Sequence, residues 1–179
     1  FDKTGTITLN EQTAKIVMLP DNAEFEISGS GYNDNGKLVC SDKKYNQIVS
    51  DIALMGDINN ESTFKKKGKD WVYFGDSMDI AFKVLASKVK TNAKNCNITK
   101  QIPYESENKY SSVFYNINNE NYACVKGSLE VVLSFCKDYD EKTILEENEA
   151  LAKEGYRVIA LASGKIKNFK LKSDYDKND

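Results

Sequence analysis

Residues 110–125 read Tyr110-Ser111-Ser112-Val113-Phe114-Tyr115-Asn116-Ile117-Asn118-Asn119-Glu120-Asn121-Tyr122-Ala123-Cys124-Val125. Two runs rich in aromatic and β-branched residues flank Asn118-Asn119-Glu120, and asparagine favours turns. The stretch predicts a hairpin with strands over 110–117 and 121–125. A hairpin breaks any strict βα repeat. The expected class is therefore α+β, an antiparallel β-sheet flanked by helices, rather than a doubly wound parallel sheet.

Working outward, Gly127 and Ser128 lead into a helix expected to reach about Cys136, carrying Leu129, Val132 and Leu133. A second helix is expected over 141–154, closed by Gly155, a common residue after a helix end. Tyr156 to Ala162 reads as a last strand, and the charged tail beyond Lys165 is expected to fray. On the other side, residues 71–74 (Trp-Val-Tyr-Phe) read as a short strand halted by Gly75. Asp76 or Ser77 then caps a helix whose apolar positions are Ile80, Ala81, Val84, Leu85 and Val89. Lys65-Lys66-Lys67, within the polar stretch 57–70, reads first as a solvated loop and second as a binding patch. Ile48, Ile52 and Ala53 recur at helical spacing over 43–55. Residues 33–37 carry turn chemistry, and short strands are expected over 13–19 and 24–27.

The chain has 179 residues, enough for one domain with a sizeable core. Apolar residues make up 40% and charged residues 29%, ordinary values for a globular protein. No run approaches the roughly 18 apolar residues of a membrane helix. With no secretory signal and Phe1 in place of Met, the chain is expected to be a segment of a longer polypeptide. A net charge of −2 argues against a general nucleic-acid binder, which carries a basic face. Histidine is absent, which excludes His-built zinc sites, Ser-His and Cys-His catalysis and histidine pH switches. Cys40, Cys96, Cys124 and Cys136 form no C-x-x-C pair and read as reduced thiols. Arg157 is the one arginine among lysines.

The chain opens Phe1-Asp2-Lys3-Thr4-Gly5-Thr6-Ile7-Thr8. This offers a carboxylate nucleophile, an adjacent cation, hydroxyls, and a glycine that lets backbone amides approach an anion. A carboxylate can take a γ-phosphoryl group as an acyl phosphate, splitting one hard transfer into two easier steps. Thr4 stands where a second acid would hasten hydrolysis, so an aspartyl phosphate here should be longer-lived. The composition also fits a surface turn with no chemistry. The string, however, resembles the phosphorylation motif of P-type ATPases, with Phe1 where many members have a small residue.

Four further stretches resemble the nucleotide-binding domain of that family, in the order it requires. Gly75-Asp76-Ser77-Met78-Asp79-Ile80-Ala81-Phe82 is similar to its G-[DE]-x-x-[DE]-x-A-[LF] helix start; the resemblance assigns Asp79 to the adenine end of ATP, although a first-turn acid also complements the helix dipole. Pro103-Tyr104-Glu105-Ser106-Glu107-Asn108-Lys109-Tyr110-Ser111-Ser112-Val113 resembles P-F-x-S-x-x-K-x-x-S-V. It implies that Tyr104 stacks on adenine and Lys109 lies near the nucleotide; Ser106 or Asn108 stands where many members carry arginine. Lys126-Gly127-Ser128-Leu129-Glu130 resembles K-G-[AS]-x-E, with Leu129 for a common proline, and implies that Lys126, with Gly127 allowing a close backbone approach, lines the ATP pocket. Leu151-Ala152-Lys153-Glu154-Gly155-Tyr156-Arg157-Val158 resembles L-A-x-x-G-x-R-V, placing Arg157 on a strand near the phosphates.

The resemblance implies an organisation of phosphorylation-domain loop and hinge (1–10), nucleotide-binding domain (11–165) and charged tail towards a second hinge (166–179). It further implies a cytosolic ATP-binding domain of a multi-pass cation pump, with Asp2, Lys3 and Thr4 catalytic in the parent. Mg²⁺ would accompany ATP, with the Thr4 carbonyl as one ligand. The chain alone is expected to be monomeric, to bind nucleotide weakly and not to hydrolyse it; its partners would be the remaining phosphorylation, actuator and transmembrane domains. Calcium is the first choice of cargo, since the His-Pro pair of heavy-metal pumps is absent. A soluble phosphoaspartate phosphatase or phosphotransferase, and a non-catalytic interaction domain, are the alternatives. The first wants an acid at Thr4 and leaves Lys126-Gly127 and Arg157 unexplained.

Overall fold

The computed structural model describes residues 11–40, 42–91 and 93–166. The chain divides into two compact units, the first ending at Ala93 and the second beginning at Lys94. The class is α+β with antiparallel sheets, as expected.

The first unit begins with a short antiparallel pair, β1 (Ile16–Met18) and β2 (Glu24–Glu26), in which Val17 faces Phe25. Both side chains enter a core completed by helices α1 (Lys43–Ile58) and α2 (Ser77–Val89) through Val49, Ala53 and Leu85. Asp42 caps α1, accepting from the Lys44 N–H at 2.8 Å; Asp76 caps α2, accepting from Met78 at 2.8 Å. Of the two expected caps for α2, Asp76 is the one used. Helix α1 continues three residues past the expected end at Met55. Gly56 lies against α2 there: a Cβ on it would stand 2.3 Å from Cδ1 of Phe82. The glycine thus serves helix packing instead of helix termination.

The lysine run is not a loop. It lies in β3 (Thr63–Lys67), paired antiparallel with β4 (Asp70–Phe74) across a turn at Gly68, whose φ is +66°. Phe64 stacks on Trp71 with centroids 4.4 Å apart, and Lys66 stands 5.3 Å above the Trp71 ring. A ribbon open to water tolerates successive lysines, and the aromatic face supplies the pairing energy that the run conceals. The lysines themselves are solvated, as expected.

The second unit is a four-stranded antiparallel sheet in chain order: β5 (Asn97–Glu105), β6 (Tyr110–Ile117), β7 (Glu120–Gly127) and β8 (Ala160–Lys165). The expected hairpin is β6–β7. Its loop is only Asn118-Asn119, at φ +52° and +64°, the left-handed pair that a two-residue hairpin turn demands. Helices α3 (Leu129–Leu133) and α4 (Glu141–Lys153) connect β7 to β8. Helix α3 is shorter than expected, giving way to a turn around Ser134. Val113 and Cys124, opposite each other on β6 and β7, are fully buried, and Val132 and Leu133 of α3 are buried too.

Two expectations fail here. Strand β5 covers a stretch where no strand was expected, and the last strand starts at Ala160 instead of Tyr156. Ala160 pairs with Gly127, the end of β7, so residues 156–159 run past the strand that would bond them.

Candidate functional site

Asp2, Lys3 and Thr4 lie outside the described residues, as does the tail from residue 167 onward. The second unit carries most of the other candidates. On β5, Ile102 pairs with Ser112 and Glu105 with Tyr110, so the two residues Pro103 and Tyr104 sit opposite the single residue Ser111. This bulge makes room for an extra side chain on an edge strand. Ser111 in turn pairs with Lys126, and Lys126 with Leu161. Tyr104, Ser111 and Lys126 therefore form one row across three strands. Tyr104 is 55% exposed, whereas Ser111 and Lys126 are 5% and 7% exposed. An exposed aromatic ring thus lies in the bulge opposite the strand partner of a buried lysine. Such a row offers a stacking platform at the edge and a cation further in.

Lys109 lies on the turn between β5 and β6. The turn closes through the Lys109 N–H donating to the Glu105 carbonyl at 2.9 Å, and the Asn108 side-chain amide donates to the Glu105 carboxylate at 3.1 Å. Lys109 is exposed and adopts φ +59°, a left-handed conformation that side chains disfavour. Its carbonyl accepts from the Ser128 N–H at 3.1 Å. Gly127 is buried at the end of β7, paired with Tyr110 and Ala160. The close approach expected at this glycine is made by the chain itself, since a Cβ there would lie 2.3 Å from the Lys109 carbonyl oxygen.

Asp79 belongs to the first unit. It lies half-buried in the first turn of α2, where its carboxylate accepts from the Glu61 N–H at 3.0 Å. Its carbonyl accepts from the Asn60 side chain at 2.8 Å. The carboxylate thereby holds the chain that leads into β3. Arg157 is exposed and stands three residues before β8, so the expectation of a strand arginine is corrected by the register that starts β8 at Ala160. Ser111 was not anticipated as a member of the row. Strand alternation from Val113 would have found it, once Lys126 was known to be its partner.

Among the described residues, no group of three or more His, Cys, Asp or Glu could hold a metal ion. None of the described helices is long and apolar enough to cross a membrane. A groove of about 740 Å³ in the first unit, lined by Phe25, Leu38, Val39 and Tyr45 among others, contains none of the predicted site residues.

Comparison with known proteins adds an independent line. Residues 46–179 match the family model described as "P-type ATPase, cytoplasmic domain N". The probable cation-transporting ATPase F of Mycobacterium tuberculosis (strain ATCC 25618 / H37Rv) is 27% identical, over 91% of this chain and 20% of that protein. Human calcium-transporting ATPase type 2C member 2 is 30% identical, over 91% of this chain and 19% of its own length. The cation-transporting ATPase pma1 of Synechocystis is 29% identical, over 90% and 20% respectively. The chain spans about a fifth of the length of these curated relatives.

Proposed function

This chain belongs to the P-type ATPase family through its cytoplasmic domain N, and from that premise we propose that it holds ATP for a membrane pump that moves cations. The observation that carries the proposal is the bulge that sets the exposed Tyr104 opposite Ser111, itself the strand partner of the buried Lys126. Adenine stacks on Tyr104, an interaction indifferent to ring hydrogen-bonding and strong enough to anchor a base. Lys126 closes the inner end of the pocket, and Lys109 and Arg157 take the phosphates. The resemblance assigns Asp79 to the adenine end, and within its own unit its carboxylate accepts from the Glu61 N–H.

The donor set suits ATP: one flat apolar face for the base, with lysines and an arginine for a polyanion. Mg²⁺ carried with the nucleotide neutralises phosphate charge, and the Thr4 carbonyl is its proposed ligand from this chain. In the parent, Asp2 is the carboxylate that accepts the γ-phosphoryl group, with Lys3 beside it. Residues 1–10 form the phosphorylation loop and hinge, 11–165 the nucleotide-binding domain, and 166–179 the approach to a second hinge. Domain closure would supply the alignment on which phosphoryl transfer depends. The partners are the remaining phosphorylation, actuator and transmembrane domains, with this domain on the cytoplasmic side. Calcium is the proposed cargo, as in the name of the human relative.

Alone, the 179-residue chain is a monomer that binds ATP weakly and turns none over. A titration followed by amide chemical shifts should show saturable changes around β5–β7, weakened by Tyr104→Ala and Lys126→Ala. No saturable change, or one indifferent to both substitutions, would instead support a non-catalytic interaction domain. A steady ATPase rate abolished by Asp2→Asn would sink the claim that the chain is inactive.

A further inference from the structure

Gly127 sits one residue past Lys126, yet its open side is not left for a ligand. A Cβ there would stand 2.3 Å from the Lys109 carbonyl oxygen, 2.9 Å from the Tyr110 Cα and 2.9 Å from the Tyr110 Cβ. Two of these atoms are backbone, so no side-chain rotation could relieve the clash; the turn itself would have to move. The same carbonyl accepts from the Ser128 N–H at 3.1 Å. Tyr110, the next residue, is braced by Phe135 just beyond α3, ring edge to face with centroids 5.2 Å apart. Lys109 is meanwhile held at φ +59°, a conformation that a lysine keeps only where its surroundings impose it.

We propose that Gly127 is a positioning residue for Lys109. By admitting the Lys109 carbonyl against the end of β7, it fixes where the Lys109 side chain departs relative to Lys126. It thereby sets affinity for the phosphate-bearing nucleotide rather than for the nucleoside. This inference rests on the nucleotide reading above but assigns Gly127 a different part in it: the glycine touches the chain, and the chain presents the cation. Ser128 shares that part through its N–H, and the Glu105 carbonyl fixes the turn from the other side.

The test compares the full chain with Gly127→Ala, Lys109→Ala and the double variant, titrated with ATP and with adenosine. Hydrogen exchange of the Ser128 amide is measured in each. Gly127→Ala should lose about tenfold in ATP affinity, a change of roughly 1.4 kcal/mol, and leave adenosine binding unchanged. In the Lys109→Ala background it should cost nothing further. The Ser128 amide should exchange faster. Equal losses for ATP and adenosine, or additive losses in the double variant, would overturn the proposal, because both mean that Gly127 acts without Lys109. Should Gly127→Ala fail to fold, Ser128→Pro removes the same hydrogen bond at φ −65°, a value proline accepts. It must then show the same ATP-selective loss. If the wild-type chain binds neither ligand, the nucleotide reading falls and exchange alone decides: an unchanged Ser128 rate in Gly127→Ala, or an unchanged rate for the Lys109 turn amide in Ser128→Pro, overturns the clamp.

Discussion

Lys88 and Lys126 are the two buried lysines of the described chain, 4% and 7% exposed, and they sit in different kinds of neighbourhood. Lys88, on α2 of the first unit, donates to the Ser28 carbonyl at 3.1 Å, while Lys15 reaches the next carbonyl, Gly29, at 2.8 Å. Both lysines secure a tight loop in which Gly29 and Gly36 come together: a Cβ on Gly29 would meet the Asn35 carbonyl oxygen at 2.1 Å. Other charges of the first unit are likewise tied to its own chain. Lys83 pairs with Asp57 at 2.9 Å, and Asp79 holds Glu61. Lys126, by contrast, shares its row with an exposed tyrosine, and the lysine and arginine of the neighbouring segments face solvent. Burial of a cation does not by itself mark a binding site; the proposed reading rests on the exposed tyrosine that accompanies Lys126.

The sharpest way to break this contrast is to remove the uncovered surface. Tyr104→Ala should weaken ATP binding by about 1–3 kcal/mol, the range for a lost base–aromatic stack. Its thermal midpoint should stay near the wild-type value, since a ring 55% exposed contributes little to the core. Calorimetric titration beside a thermal melt reads both. A large drop in midpoint would move Tyr104 to the structural side of the comparison. The two lysines provide the next test. Lys126→Met should reduce ATP affinity about tenfold, near the lower range for a hydrogen bond to a charged group, while Lys88→Met leaves affinity unchanged. Equal effects from the two would erase the distinction.

How much of this was legible beforehand depends on where the physical signal resides. The β6–β7 hairpin was readable because aromatic and β-branched runs meet at two asparagines, and both the pattern and the turn are local. The cap at Asp76 was readable for the same reason. Strand β5 was not: nearly all of its residues are exposed, so Asn97-Ile98-Thr99-Lys100 carries no buried face to betray it. Its pairing comes from β6, not from its own composition. The lysines of β3 hid a strand in the same way. Tyr104 and Lys126 stood out as motif residues, yet the row that joins them depends on a bulge at Pro103-Tyr104, and a bulge belongs to two strands at once. Arg157 was misplaced because only the end of β7 decides where β8 starts.

A smaller effect sharpens the comparison from the side of the first unit. Asp42→Ala removes the acceptor that caps α1 and should cost about 1 kcal/mol of stability, with ATP affinity unaffected. Chemical denaturation measures the first and titration the second. A loss of affinity matching the loss of stability would show that binding responds to the first unit's folding as a whole, and would weaken the separation between framework charges and binding charges.

The smallest expected effect is a pH slope at Lys88. Burial, helped by the nearby Lys15 ammonium, holds the Lys88 pKa below the ordinary lysine value of 10.5. Below the folded-state pKa both folded and unfolded chains carry the proton, and the cost of burying the charge is borne in full. Between the folded value and the unfolded value the unfolded chain binds more protons. Stability attributable to Lys88 therefore rises with pH across that window and levels off above it. The ammonium donates to the Ser28 carbonyl and the charge acting on it is that of Lys15, neither of which is an acid that would reverse the sign. Denaturation midpoints taken from pH 8 upward on the wild-type chain and on Lys88→Met, subtracted to cancel the other titrating groups, should show a positive difference slope. A flat or negative difference would mean that Lys88 reaches water or an anion in solution. It would then stand closer to Lys126 than its buried carbonyl partner implies.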